Sequence, residues 1–230
     1  YGKEPIRTLE VLSEKHGYEL MLLPVDHPGQ EQKSQWLQIR REKPDYVLMW
    51  GWGVMNQVAI QEAVNIRYPM ENFIGIWWSG SENDVLPAGP KANGYKSLTF
   101  HGVGSNFKVL DDIKKYVIDA GKAAGAGDQV GTVLYNRGLY NAVLHSEAAR
   151  NAQAMTGKTM VSQGDMIKAL QSFEMTEEKM AALGLENFGP GFKVTCQNHG
   201  GDGLVAVAQW DAGAGEWNMI SDYKQSDQAV

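Results

Sequence analysis

The chain has 230 residues, 43% of them hydrophobic and 21% charged, which is the composition of a globular protein able to bury a proper core. Its net charge of −6 argues against a surface for nucleic acid or anionic membranes, because such a surface needs a basic patch. The single cysteine excludes an intrachain disulfide, and Cys196 with His199 lacks the further ligands of a zinc site, so we predict no metal and no other cofactor. No apolar run approaches the roughly 20 residues of a membrane span.

The first hundred residues alternate between helical and strand patterns. The predicted order is helix 6–16, strand 18–25, helix 31–42, strand 45–50, helix 54–66 and strand 72–78. Such alternation predicts an α/β fold with a doubly wound, mostly parallel sheet. The unbroken apolar run at 45–50 predicts a strand that is buried on both faces. The order begins with a helix where such units begin with a strand, so we expect that something upstream has been removed.

The second half of the chain changes character towards its end. The elements expected there are a strand at 94–100, a linker at 101–104, helices at 107–120 and 140–154, helices capped by Ser162 and Thr176, and strands at 192–196, 204–210 and 216–221. The last three strands are separated by glycine-rich turns, which predicts antiparallel hairpins.

Aromatic and polar side chains follow three successive predicted strands. They are His27 after the first strand, Trp50 and Trp52 after the second, and Trp77, Trp78 and Ser79 after the third. The carboxyl ends of parallel strands meet at one rim of a sheet. A rim of indoles with a few hydroxyls and amides, here Ser79, Ser81 and Asn56, is typical of a small-molecule site. Trp52 is the better candidate for this site, and Trp50 is expected in the core. Side chains alternate along a strand, so only one of Trp77 and Trp78 is expected to face it.

Signals for catalysis are weak. The chain has no Gly-x-Ser-x-Gly elbow and no phosphate-binding loop, and Gly51-Trp52-Gly53 lacks the third glycine of a dinucleotide-binding turn. The five histidines are far apart in sequence, and each is more readily explained as a surface or structural residue. These features favour a binding protein over an enzyme.

Several segments in order resemble one known family. They are Tyr1-Gly2, the run Pro-Gly-Gln-Glu-Gln-Lys-Ser-Gln-Trp-Leu-Gln-Ile-Arg from 28 to 40, Lys43-Pro-Asp-Tyr-Val, Tyr140-Asn-Ala, Thr195-Cys-Gln-Asn-His-Gly-Gly and Gln209-Trp-Asp. Together they resemble the leucine/isoleucine/valine-binding proteins, which are type I periplasmic solute-binding proteins of ABC transporters. The resemblance covers nearly the whole chain.

The resemblance implies two α/β lobes that clamp a ligand in the cleft between them. Residues 1–103 would be the second, C-terminal lobe without its first strand, with Tyr1 at the cleft, and 104–230 would return to the first lobe and add the closing hairpins. The expected protein is periplasmic, acts without catalysis, delivers a small molecule to a membrane permease, and neither binds nucleic acid nor inserts into the membrane. The ligand contacts expected from the rim and the resemblance together are Tyr1, His27, Trp52, Trp77, Trp78 and Ser79.

One departure from the family bears on the ligand. Members that bind amino acids place an acid in the turn before the second helix, where this chain has Gly29, with Asp26 and Glu31 as imperfect substitutes. With the indoles, this favours an aromatic or apolar carboxylate over a branched-chain amino acid, and a quaternary ammonium ligand stays open because indole faces attract cations. Two other functions also stay open, a sensory or regulatory ligand-binding domain of the same fold and a hydrolase with an unrecognised site.

Overall fold

The computed structural model describes residues 1–125 and 127–225. Within this part the chain forms two compact units. Unit 1 consists of residues 1–99 and 207–220, and unit 2 consists of 100–206 with the short segment that begins at Ser221. The closing hairpin therefore belongs to unit 1. The sequence analysis had grouped it with residues 104–230 instead. No helix in the described ranges is long and apolar enough to span a membrane.

Unit 1 is built on a five-stranded sheet. Its helices are α1 (Ile6–His16), α2 (Lys33–Glu42), α3 (Val54–Asn65) and α4 (Glu82–Val85), and its strands are β1 (Val47–Met49), β2 (Phe73–Gly75), β3 (Lys96–Thr99), β6 (Ala206–Asp211) and β7 (Glu216–Met219). The strand order is β1-β2-β3-β6-β7. β1, β2 and β3 pair in parallel, and β6 pairs with β7 antiparallel. The predicted α/β fold with a parallel sheet is confirmed, and so is the hairpin at 204–221.

A row of aromatic side chains forms the core of unit 1. Trp36 of α2 packs edge-on against Phe73 with ring centroids 5.2 Å apart, Phe73 packs against Tyr95 at 5.0 Å, and Tyr95 against Trp217 at 6.1 Å. All four rings are buried. Each such pair adds about 0.5–1.5 kcal/mol beyond the burial of its apolar area. The row joins α2 to β2, to the residue before β3 and to β7, and so it holds the parallel and antiparallel parts of the sheet together.

Tyr95 also supports the loop after β2 from below. Its hydroxyl donates a hydrogen bond to the carbonyl oxygen of Ser79 at 2.8 Å, and burial raises the pKa of this phenol well above its ordinary value, so it stays a donor. Gly75 makes room for the contact, because a Cβ at this position would collide with the Tyr95 hydroxyl and lie 2.7 Å from the Ser79 Cβ.

Three predicted strands differ from the structure. Residues 18–25 form no ladder with any described segment, although burial alternates from Met21 to Val25 as in a strand. The run at 45–50 is a strand only at Val47–Met49, and Trp50 is partly exposed instead of buried in the core. The strand at 72–78 ends at Gly75, because the amide of Ser79 bonds back to the Ile76 carbonyl at 2.7 Å and turns Trp77–Ser79 into a 3₁₀ helix.

Unit 2 is mainly helical. Its elements are α5 (Lys108–Ile113), which continues as a π-helical turn (Lys114–Ile118), then α6 (Val133–Thr156), α7 (Gln163–Leu170), β4 (Glu174–Met175), α8 (Glu177–Ala182) and β5 (Phe192–Lys193). The predicted caps are confirmed, since Ser162 accepts from the Asp165 amide and Thr176 from the Lys179 amide. β5 pairs antiparallel with β4, so the expected pairing of the 192–196 strand within the closing hairpins is wrong.

The core of unit 2 gathers around Phe188, which packs against Phe107, Tyr140 and His101. His101 is fully buried. Its Nδ1 lies 3.0 Å from the Gly102 carbonyl oxygen, and its Nε2 lies 3.2 Å from Nε of Arg137. Arginine can only donate, so Nε2 accepts and Nδ1 carries the proton. Burial, with a smaller contribution from the charge of Arg137, lowers the pKa of His101 from 6.5 to about 4, and the hydrogen bond to Gly102 opposes this shift.

The pH dependence of stability tests the neutral state of His101. The pKa of His101 is lower in the folded chain than in the unfolded chain, so the unfolded chain binds the extra proton first as the pH falls. The folding free energy that depends on neutral His101 is therefore fully present above pH 6.5 and is lost as the pH falls towards 4. We expect unit 2 to lose about 2–3 kcal/mol between pH 7.5 and 4.5 from this group. Urea unfolding followed by far-UV circular dichroism should show a shallower pH dependence for His101→Gln. The exposed His145→Gln should retain the full slope, and an equal slope in all three proteins would contradict the assignment.

Gly75→Ala tests the support beneath the loop after β2. The added methyl group must displace Tyr95 or Ser79, which should cost about 1–3 kcal/mol of unit 1 stability. All seven tryptophans lie in unit 1, so urea unfolding followed by tryptophan fluorescence reports on this unit. Gly213→Ala in the same unit is the control, because this exposed glycine lies outside the left-handed region and an added Cβ would meet only the flexible side chain of Asp211 within 4 Å, at 3.2 Å. Equal effects of the two substitutions would show that the tight contact at Gly75 is unimportant.

Candidate functional site

The loop after β1 is the centre of the candidate site. The carbonyl oxygen of Gly51 accepts a hydrogen bond from the Tyr1 hydroxyl at 3.0 Å and another from the Ser79 hydroxyl at 2.8 Å. Gly51 is buried, and a Cβ there would lie 2.6 Å from Oδ1 of Asn56. One backbone carbonyl therefore joins the start of the chain, the end of β1 and the end of β2.

Three rings surround this point, and we call them the Trp52 cluster: Tyr1, His27 and Trp52. The Trp52 ring centroid lies 5.9 Å from that of Tyr1 and 6.0 Å from that of His27. Tyr1 is 61% exposed and Trp52 is 50% exposed, so both present large aromatic faces to solvent. Partial burial of the hydroxyl, and secondarily the charge of Glu4, raise the pKa of the Tyr1 phenol, which stays protonated as the donor to Gly51. The structure thus brings three of the six predicted contacts together.

Trp77 and Trp78 lie on the 3₁₀ helix after β2, with ring centroids 4.4 Å apart. Trp78 is 43% exposed and Trp77 is partly buried. Strand alternation does not separate these two side chains as predicted, because the segment is a 3₁₀ helix and not a strand. Their rings are tilted by 31° to each other and form a second aromatic surface of the same unit.

The polar groups predicted at the rim lie beneath it. Ser79 and Asn56 are fully buried. The side-chain amide of Asn56 donates to the Trp78 carbonyl at 2.9 Å and to Oδ1 of Asp84 at 3.0 Å. Oδ2 of Asp84 accepts from the backbone N–H and from the hydroxyl of Ser81. These side chains hold the loops in place, and the carboxylate of Asp84 accepts hydrogen bonds from Asn56 and Ser81 of the same unit.

A buried glutamine, which the sequence analysis missed, positions the His27 loop. The Gln32 amide donates to the carbonyl oxygens of Gly29 at 2.6 Å and Met55 at 2.8 Å, and its oxygen accepts from Trp36. Gly29 has φ +84° and packs directly on the Met55 side chain. The segment from 30 to 38 contains four glutamines, and no local pattern distinguishes Gln32 from the other three.

Acidic side chains of the same loop stay at the surface. Asp26 and Glu31, the two imperfect substitutes for the family's ammonium partner, are both exposed. Gly29 between them is buried and offers only its backbone. The Trp52 cluster is therefore an aromatic surface whose only ionisable side chains are the phenol of Tyr1 and the imidazole of His27.

Unit 2 has a separate open groove. It has a volume of about 440 Å³, and its lining includes Leu144, Phe173 and Phe192 together with His145 and His199. No three histidine, cysteine or acidic side chains in residues 1–125 and 127–225 are placed to hold a metal ion. Cys196 is an exposed free thiol.

Comparison with known proteins gives a family match and a set of structural neighbours. The sequence matches the family described as "Periplasmic binding protein" over residues 1–215. No curated protein was found to match the chain.

One solved structure, described as an ABC transporter permease from the Pseudomonas fluorescens group, is 36% identical with a TM-score of 0.90 and aligns with 100% of this chain and 55% of its own. A branched-chain amino acid ABC transporter from Thermus thermophilus with bound valine is 14% identical with a TM-score of 0.75, over 99% of this chain and 58% of its own. A solute-binding protein from R. palustris in complex with benzoate is 15% identical with a TM-score of 0.60, over 94% and 54%.

The chain thus spans just over half the length of these structures. The two more distant ones share its fold, and the resemblance to type I periplasmic binding proteins of ABC transporters is confirmed. Since the family match extends over residues 1–215, the chain belongs to the periplasmic binding protein family.

Proposed function

We propose that this chain is part of an extracytoplasmic solute receptor of an ABC importer, which binds a small carboxylate with an aromatic or apolar body and does not transform it. The observation that carries the proposal is the exposed Trp52 cluster at the carboxyl end of β1. Ligands of open α/β sheets bind at this end. In a two-lobed binding protein that closes around its ligand, the cluster would be one wall of the cleft.

The exposure of the aromatic rings supports a flat apolar ligand. Tyr1 and Trp52 keep half or more of their surface in water, although burial of such rings is favourable. A ligand ring that packs against them removes this surface from water and gains the tilted or offset ring contacts that aromatic pairs prefer. Trp78 would add a second aromatic contact.

The start of α3 supports a negatively charged end on the ligand. This twelve-residue helix begins at Val54, two residues after Trp52, and its N-cap, Gly53, has no side chain to cap the first-turn amides. These amides and the helix dipole favour an anion. A carboxylate near Gly53 would let the apolar body of the same ligand reach Trp52.

The placement of acids opposes an amino acid ligand. An ammonium group in a closed cleft needs an anionic partner. Asp84 already accepts hydrogen bonds from Ser81 and Asn56, and Gly29, which stands where amino-acid-binding members of the family carry an acid, offers only its backbone. A carboxylate without an ammonium group therefore fits unit 1 better than valine or leucine. A benzoate complex among the fold neighbours makes benzoate a natural first ligand to test.

The rest of the proposal follows the family. Unit 1, which holds most of residues 1–103, would be the second lobe, and 104–206 would return to the first lobe. The receptor would deliver its ligand to a membrane permease on the outer side of the membrane. Its ligand contacts would be Tyr1, His27, Trp52, Trp77 and Trp78, with Ser79 acting through the Gly51 carbonyl.

Replacement of single tryptophans tests the proposed surface. We expect Trp52→Ala and Trp78→Ala each to weaken the binding of benzoate or a larger aromatic carboxylate about fivefold, since a lost ring contact is worth on the order of 1 kcal/mol. Isothermal titration calorimetry measures the change, with valine and a quaternary ammonium compound as competing ligand classes.

Trp50→Ala is the matched control for these replacements. Trp50 is also a partly exposed tryptophan next to Gly51, but it lies outside the Trp52 cluster, so the affinity should stay unchanged. Equal losses for all three variants, or none for Trp52→Ala and Trp78→Ala, would contradict the proposal. Tighter binding of valine than of any aromatic carboxylate would contradict the ligand class but not the surface.

A further inference from the structure

The open groove of unit 2 has no part in the function proposed for unit 1, and its base is one face of the short sheet formed by β4 and β5. Met175 pairs with Phe192, and the backbone N–H of Val194 donates to the Phe173 carbonyl oxygen at 2.8 Å, so Phe173 and Val194 are the next cross-strand neighbours. Cross-strand neighbours share a face of a sheet, and so do residues two apart on one strand. Phe173, Phe192 and Val194 therefore lie on one face, and all three line the groove.

Two helices supply the rest of the apolar lining. Leu144 belongs to α6, and Ile167 and Leu170 lie three residues apart on α7, which places them on the same face of that helix. Ile167 is 46% exposed and Leu170 is 41% exposed, so large apolar side chains at the groove stay in contact with water. A molecule that covers them removes this apolar surface from water, which favours binding.

The polar part of the lining consists of amides and imidazoles, from Asn141, His145, Gln171 and His199. Among the described residues that line the groove, none is a lysine, arginine, aspartate or glutamate. Side-chain amides and neutral imidazoles can each both donate and accept a hydrogen bond. Such a lining suits the hydroxyl group of an uncharged molecule, whereas a charged group that leaves water needs an oppositely charged partner.

The loop that carries His199 is held in place by Asn198. The Asn198 side chain donates to the Gly201 carbonyl oxygen at 2.8 Å and accepts from the Gly200 N–H at 3.1 Å. Its backbone N–H donates to the Thr195 hydroxyl at 3.0 Å, and its carbonyl oxygen accepts from the Thr195 N–H at 2.9 Å. These bonds tie the chain on both sides of His199, so little further ordering is needed when a ligand meets this imidazole.

We infer that the unit 2 groove is a second binding site, which takes an uncharged molecule with an apolar body and a hydroxyl group, such as an alkylphenol. Its volume of about 440 Å³ is within the usual range for small-molecule sites. The apolar body packs on Phe173, Phe192 and Leu170, and the hydroxyl group exchanges hydrogen bonds with the imidazoles and amides of the lining. The groove differs in ligand class from the Trp52 cluster, for which we propose a carboxylate.

The ring protons of the histidines distinguish the two sites in one titration. The probe is para-propylphenol, and para-propylbenzoate has the same apolar body with a charged head. In proton–carbon NMR spectra, para-propylphenol should shift the signals of His145 and His199 in a saturable way and leave the exposed His16 of α1 unchanged. The signal of His27 reports separately on the Trp52 cluster. The carboxylate should bind the groove at least about fivefold more weakly than the phenol, because it loses more hydration.

Leu170→Lys tests the apolar lining. A charged side chain in place of Leu170 should weaken the binding of para-propylphenol at least about fivefold in the same titration, because an apolar contact is lost. Leu134→Lys is the matched control, since this leucine of α6 is 45% exposed, compared with 41% for Leu170, and does not line the groove. Its affinity should stay unchanged. If circular dichroism shows that Leu170→Lys does not fold, Ile167→Lys on the same face of α7 replaces it.

Each other result contradicts the inference. Without saturable shifts of His145 and His199, the groove binds no molecule of this class. Equal affinities of Leu170→Lys and Leu134→Lys would mean that the apolar lining is not the contact surface. Binding of para-propylbenzoate to the groove as tightly as the phenol would contradict the uncharged ligand class. A dimer of the chain that para-propylphenol dissociates, detected by light scattering, would mean that a second copy is the natural occupant.

Discussion

The carbonyl oxygen of Gly51 is the point on which the candidate site depends. It accepts from Tyr1 and Ser79, residues far apart in sequence, and so it ties the start of the chain and the turn after β2 to the end of β1. The second lone pair of a carbonyl lets one acceptor serve both donors. Because Ser79 is also held through its own carbonyl by Tyr95, the aromatic core of the unit and its exposed rings form one connected structure.

The same geometry explains why aromatic faces remain in water. Hydrogen bonding to Gly51 holds the Tyr1 ring beside Trp52, and Gln32 ties the loop after His27 to the start of α3. Neither constraint buries the rings. A ligand that packs against a preorganised apolar surface causes little further loss of side-chain conformational entropy. Rigid sites gain affinity in this way. The inward-facing Asn56, Ser81 and Asp84 contribute to this rigidity and leave the ring faces free of carboxylates.

Local patterns in the sequence were sufficient for the helices, the caps and the parallel strands around Val47 and Phe73, because hydrophobic period and capping residues act within a few positions. The strand pattern also placed His27 and Trp52 at one rim, and the resemblance to the family added Tyr1, which lies beside Trp52 in the structure. The errors concern pairing: residues 18–25 read as a strand but find no described partner, and β5 pairs with β4 instead of β6. Partner choice depends on distant segments. Ser79 is buried because the chain turns into a 3₁₀ helix after β2, and Trp50 is exposed because β1 is an edge strand. A few neighbouring residues in the sequence do not determine either feature.

The central claim is that ligand binds to the Trp52 cluster of unit 1. Intermolecular nuclear Overhauser effects between the ring protons of a bound aromatic carboxylate and the side chains of the protein test it most directly. Binding at the Trp52 cluster should give effects to the Trp52 indole and the Tyr1 ring, whose centroids lie 5.9 Å apart and which would both touch one ligand ring. Effects confined to His145, His199 and the apolar side chains of the unit 2 groove would contradict it.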